Sequence, residues 1–168
     1  MKAQRITRSD RVPRHEHRVR AFSRDYPLIT GLGDGYAVDA ETARVLVARV
    51  ADGFGVPVPE VVSHAGRRPD TGQCWAPRGR AVASNGAQQV AVWEQRHNRS
   101  YPKTGMIRIG TTTTLRTLAH ELGHHLVHCL EPMGTPSHGK VWVARFDDAM
   151  GSIASFLATD RAPASEGY

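Results

Sequence analysis

The stretch Thr111-Thr112-Thr113-Thr114-Leu115-Arg116-Thr117-Leu118-Ala119-His120-Glu121-Leu122-Gly123-His124-His125-Leu126-Val127-His128-Cys129-Leu130 decides how the rest of the chain is read. Leu115, Leu118, Leu122, Leu126 and Cys129 recur at the period of a helix with one apolar stripe. One of the preceding threonines can cap it by accepting from an amide of the first turn. Residues four apart on a helix lie about 40° apart around the axis and one turn apart along it, so His120 and His124 can reach one metal ion. Glu121 points to the neighbouring side of the same face, within reach of a water activated there. His120-Glu121-Leu122-Gly123-His124 is therefore an HExxH pattern, two ligands and one base on a single helix.

A catalytic zinc needs a third protein ligand and an open position for water. His125, His128, Glu131 and His138 lie downstream. His125 is about 100° around from His124, off the ligand face, and reads as a surface or supporting residue. His128 is two turns, ~12 Å, from His120 and too far to share its ion. Glu131 follows the helix so closely that it would have to fold straight back. His138 is favoured, because Pro132, Gly134 and Pro136 break the chain and let the turn-rich segment 130–137 bring the next helix back to the first. The expected site is one Zn2+ per chain on His120, His124 and His138, with Glu121 as general base. Tyr101, Arg145 and His128 are the candidates for stabilising an oxyanion.

Upstream of the motif, Met106 to Gly110 alternates as a strand that could form the upper edge of a cleft and pair with an extended substrate. Gly79 to Ser84 and Gln88 to Glu94 flank Asn85-Gly86, a dipeptide that favours the left-handed conformations of a tight turn, so a β-hairpin is expected over 79–94. Pro57 and Pro59 interrupt the β-branched run Val56 to Val62 and leave a strand over roughly 59–63. Asp39 caps a helix in which Ala43, Leu46, Val47 and Val50 recur until Gly53 and Gly55 end it. Downstream, Ser137 can cap a last helix with Val143, Phe146, Met150, Ile153 and Leu157 on its buried face. Trp75, Trp93 and Trp142 read as core or cleft-wall residues. Gly31, Gly33 and Gly35 read as turn residues, since no strand precedes them and no Lys-Ser/Thr follows. The fold class is α+β: an N-terminal helix, a small and mostly antiparallel sheet with the 79–94 hairpin, the HExxH helix and a C-terminal helix.

With 168 residues, 40% of them hydrophobic, the chain can bury one core but is short for two. One domain is expected over 36–160, after a basic arm over 1–35 and before a tail over 161–168. The net charge of +6 is concentrated in Lys2, Arg5, Arg8, Arg11, Arg14, Arg18, Arg20 and Arg24, opposed there only by Asp10 and Glu16. Such an arm could contact nucleic acid through its phosphates. No apolar run approaches the ~20 residues needed to cross a bilayer, and the first residues lack the apolar core of a secretory signal, so a soluble, cytoplasmic protein is expected. Cys74 and Cys129 form no CxxC pair and are read as free thiols.

Thr117 to His125, followed by His138-Gly139-Lys140-Val141-Trp142, resembles a SprT-like zincin, a family with an HExxH helix and a later His-Gly-x-x-Phe/Trp that supplies the third histidine. It also resembles small actinobacterial HExxH metallohydrolases with an HGxxF-type element. The resemblance spans residues 75–158 and implies a minimal zincin-like domain, zinc, a protein or peptide substrate, His120, His124 and His138 as ligands and Glu121 as general base. The C-terminal cysteine cluster of many SprT proteins has no counterpart here. Thr117 to His128 also resembles the ImmA/IrrE class, in which a later glutamate is a ligand, but the Glu-x-x-Ala-Asn-x-Phe-Ala segment of that class is missing, so it ranks second. The alternative function is a nucleic-acid-associated protein in which zinc only fixes the fold and the basic arm binds. A glutamate between the two histidines is unnecessary for a structural site, and such sites commonly have four ligands including cysteines.

Overall fold

The computed structural model describes residues 37–161. The basic arm expected over 1–35 lies outside them, as does the tail after Arg161. The elements run β1 (Ala37–Asp39), α1 (Ala40–Gly53), β2 (Glu60–His64), β3 (Gln73–Trp75), α2 (Arg78–Asn85), α3 (Ala87–His97), β4 (Met106–Gly110), β5 (Thr112–Thr114), α4 (Leu115–Leu130) and α5 (Lys140–Arg161). The class is α+β.

Local chemistry accounts for the helices that build the core. The Asp39 carboxylate accepts from the Thr42 amide at 2.7 Å and caps α1. Ala43, Leu46, Val47 and Val50 of α1 are all buried, as their spacing predicts. Thr114 accepts from the Thr117 amide at 3.1 Å and caps α4. The last helix begins later than Ser137, the expected cap: His138 takes a left-handed φ of 60°, and Lys140 opens α5. Phe146, Met150 and Ile153 line its buried face, with Val143 and Leu157 partly covered.

Two small sheets hold the strands. β1 pairs antiparallel with β5, Val38 opposite Thr113. The larger sheet has the order β2-β4-β3, with β2 parallel and β3 antiparallel to β4. It is thus mixed rather than mostly antiparallel, and its longest pairing, Glu60↔Met106 to His64↔Gly110, is the parallel one. β4 is also not an upper edge. Val61 and Cys74 flank Ile107 on either side, and Ile107 and Ile109 are wholly buried, the environment of a central strand. The two edges are β2 and β3, and the Gly-, Pro- and Arg-rich sequence around β3 had concealed that strand.

The hairpin expected over 79–94 is instead the helix pair α2 and α3. Gly86 does adopt a positive φ of 86°, but as the joint between two helices. Its flanks are rich in the helix formers Ala, Gln and Arg, which outweigh Val82, Val90 and Val92, and Ala81 and Val90 are the residues these helices bury. Among the described residues, no helix is long and apolar enough to cross a membrane.

The main hydrophobic cluster joins α1, β4, α4 and α5, with Leu118, Leu122, Leu126, Trp142 and Phe146 fully buried. Gly123 lets α4 and α5 cross closely: a Cβ there would stand 3.2 Å from the Phe146 backbone and 3.3 Å from Trp142 Nε1. That close crossing places Trp142 beneath the histidines of α4.

Candidate metal centre

His120 and His124 project from one face of α4, and His138 reaches them from the loop before α5. Their Nε2 atoms form a nearly equilateral triangle: 3.2 Å from His120 to His124, 3.1 Å from His124 to His138 and 3.2 Å from His138 to His120. Three ligands at a tetrahedral zinc, each about 2.0–2.1 Å from it, stand about 3.3 Å apart. Three imidazole nitrogens facing one another cannot all be satisfied as mutual donors and acceptors, because each neutral ring offers only one proton. A cation accepting all three lone pairs satisfies them together, so the donor set fits a divalent metal of zinc type.

Trp142, itself fully buried, packs against all three rings, with centroids at 4.8 Å from His120, 5.2 Å from His124 and 4.6 Å from His138. It stacks in turn on Phe146, which ties the ligand rings to the core.

The loop that carries His138 is fastened at its start. The Arg80 guanidinium, from α2, donates to the carbonyls of Glu131 at 2.7 Å and Pro132 at 2.8 Å. The Glu131 carboxylate accepts from Arg145 Nε at 2.8 Å and also from its Nη2, and Arg145 holds Asp148 at 3.0 Å as well. Two of the sequence candidates therefore engage each other. Glu131, weighed as a ligand against His138, engages Arg145 instead of joining the histidine triangle, and Arg145, an oxyanion candidate, is committed to carboxylates. Thr135 Oγ1 donates to the Pro132 carbonyl at 2.9 Å, and the Gly139 amide donates to the Pro136 carbonyl at 3.2 Å. The positive φ of His138 completes the turn, at a backbone cost of order 1 kcal/mol that these fastenings offset.

Glu121 is only 6% exposed. Burial pushes its carboxyl up to about 7, with the Arg67 guanidinium pulling the other way. The residue just before β3 makes room for it: a Cβ on Gly72 would fall 2.6 Å from Glu121 Cγ and 2.7 Å from its Oε1. Burial, and next the charge of Glu121, push the Cys74 thiol well up, so it is a neutral packing residue.

The other sequence candidates have different settings. His125 is neither a surface residue nor beside the ligands but fully buried, its Nε2 2.8 Å from the Pro57 carbonyl. Its ring bridges α4 to the entry of β2, because a position 100° off the ligand face turns into the core. Burial holds His125 and His128 below the usual imidazole range, His128 at about 4, with Arg80 adding to the effect there. Tyr101 is buried against Trp93, away from the triangle. Gly72 and Arg67 were not legible in the sequence, since nothing local marks a loop glycine or arginine as the neighbour of a glutamate about fifty positions later.

No family model matches the chain, and comparisons with curated proteins and with solved structures give no significant match.

Proposed function

We propose that the chain is a zinc-dependent metallohydrolase of minimal zincin type, acting on peptide bonds. The observation that carries the reading is the convergence of three Nε2 atoms within 3.1–3.2 Å of one another, two of them on the helix that also buries Glu121. His120, His124 and His138 would hold the ion, which when bound supplies Lewis-acid chemistry that activates water and polarises a carbonyl. Glu121, on the same helix as two of the histidines, is the carboxylate that would take a proton and give it back to a leaving amine. Arg67 is the cation whose charge acts on that carboxylate, and it is a candidate to offset developing negative charge. Trp142 closes the floor behind the three rings and keeps water to one side. Among the described residues no strand pairs with the outer edge of β3, beside Glu121, so an extended peptide can add there by main-chain hydrogen bonds. The HExxH and later His-Gly-x-x-Trp pattern is what associates this arrangement with SprT-like peptidases.

The test is elemental analysis beside hydrolysis of a peptide mixture. About one zinc per chain is expected, lost in His138→Ala and retained in Glu131→Ala, because Glu131 engages Arg145 instead. Glu121→Gln should keep the zinc and lower cleavage by about 10²–10⁴-fold; undiminished cleavage in that variant overturns the mechanism.

A further inference from the structure

We infer that the cleft between the end of β3 and the α2–α3 pair receives an uncharged aromatic or branched side chain from an extended segment lying along β3. As a statement about substrate, this rests on the peptidase reading above.

The cleft has a volume of about 370 Å³ and is walled chiefly by Trp75, Trp93, Tyr101 and Val90, with Asn85 and Gln89 at its mouth. That is the small end of the range for ligand sites, a size for one large side chain rather than a cofactor. None of its lining residues is charged, so a charged group entering it would lose water without gaining a partner. The aromatic walls pack on one another. Trp93 meets Tyr101 edge-on with centroids at 4.8 Å and Trp75 at 6.5 Å, while its face is stacked on His97 at 4.1 Å. The Arg108 guanidinium lies 5.0 Å from the Trp75 ring centroid and braces it from outside the cleft. The Trp93 indole N–H is shielded from solvent and donates to nothing.

One stretch of chain joins this cleft to the metal centre. Gly72 abuts the Glu121 carboxylate and Trp75, the last residue of β3, lines the cleft. Three strand residues span about 10 Å. A segment paired with the outer edge of β3 therefore places in the cleft a side chain about three residues from the bond that lies beside Glu121.

The test uses the full chain, zinc-loaded and carrying Glu121→Gln to prevent turnover. The indole N–H signals of Trp75 and Trp93 are followed by NMR during titration with glycine-based hexapeptides containing one Phe, Leu, Lys or Glu. Phe and Leu peptides should shift both signals saturably, at least tenfold more tightly than Lys and Glu peptides. Gln89→Phe, an exposed helix position that would cover the mouth, should weaken binding about tenfold with zinc content unchanged. Trp93→Phe, which keeps a ring but removes part of the indole wall, should weaken it about 2–10-fold. Equal response to charged peptides, no shift, or a shift indifferent to Gln89→Phe overturns the assignment. In the wild-type chain, cleavage should be fastest with Phe three residues from the cut bond. Indole binding without cleavage of any peptide removes the peptidase reading and leaves the cleft assignment standing; cleavage indifferent to the position of Phe, with silent indoles, removes the cleft alone.

Discussion

Ile107, Ile109, Leu118, Leu122, Trp142 and Phe146 are wholly withdrawn from solvent beneath the metal centre. Beyond β3, by contrast, the second cluster rests on Ala81, Val90 and Tyr101, with Trp75, Val82 and Trp93 only partly covered. The first spans two long helices, α1 and the central strand; the second is held between two short helices and one strand end. Burial of that difference in extent makes the α2–α3 region the part that opens at lower free energy. The three clustered histidines therefore sit on the more extensively buried part of the molecule and the proposed side-chain cleft on the less buried part. This division suits a centre that must hold three nitrogens in fixed geometry beside a cleft that must admit different segments.

The largest effect should come from Phe146→Ala, which removes a fully buried ring stacked under Trp142. A loss of about 3–5 kcal/mol is expected in chemical denaturation, together with weakened zinc binding. Val90→Ala in the second cluster should cost on the order of 1–2 kcal/mol and leave zinc in place. Equal costs, or zinc loss from Val90→Ala, would show that the two clusters are one cooperative unit.

Arg80 is the residue that crosses the division, since it stands on α2 yet holds the carbonyls of Glu131 and Pro132. Arg80→Leu should lower stability by roughly 1–2 kcal/mol, below the range for fully buried charge-assisted bonds because the guanidinium is partly exposed. It should weaken zinc several-fold by loosening the His138 loop while the helical circular dichroism persists. Unchanged zinc affinity would mean that the α5 side of the loop positions His138 unaided.

Acid sensitivity sharpens the comparison from the other side. His128, at about 4, and His125, also lowered by burial, bind fewer protons folded than unfolded. The stability these two histidines contribute is therefore complete above about pH 6.5 and lost as the pH drops toward 4, while the raised Glu121 carboxyl, which binds a proton more tightly folded than unfolded, contributes with the opposite sign over the same window. His138→Ala protein without metal avoids confusion with zinc release. A loss on the order of 1–2 kcal/mol between pH 6.5 and 5 is expected from His128 after allowance for its partial exposure, and His128→Gln should reduce the slope. A profile unchanged by His128→Gln would show that His128 is solvated in the folded state.

The elements most legible in the sequence were those whose apolar residues carry a period of their own. α1 begins after Asp39 and ends at Gly53, β4 runs from Met106 to Gly110, and α4 follows Thr114, as their patterns require. The segment 65–97 was misread because its structure is made by partners elsewhere. Three residues, Gln73 to Trp75, form a strand only through pairing with β4, and Ala81 and Val90 are too few to announce two helices against so plain a turn signal as Asn85-Gly86.

The helical spacing of His120, Glu121 and His124 depends on backbone geometry alone, so the sequence by itself determined that two imidazoles and a carboxylate share one helix. Only the tertiary structure decided the rest. It chose His138 over Glu131 by giving Glu131 to Arg145, turned His125 into the core, and set Gly72 against Glu121. Each of these depends on groups far apart in the chain meeting in a shared interior, and no local pattern encodes such a meeting.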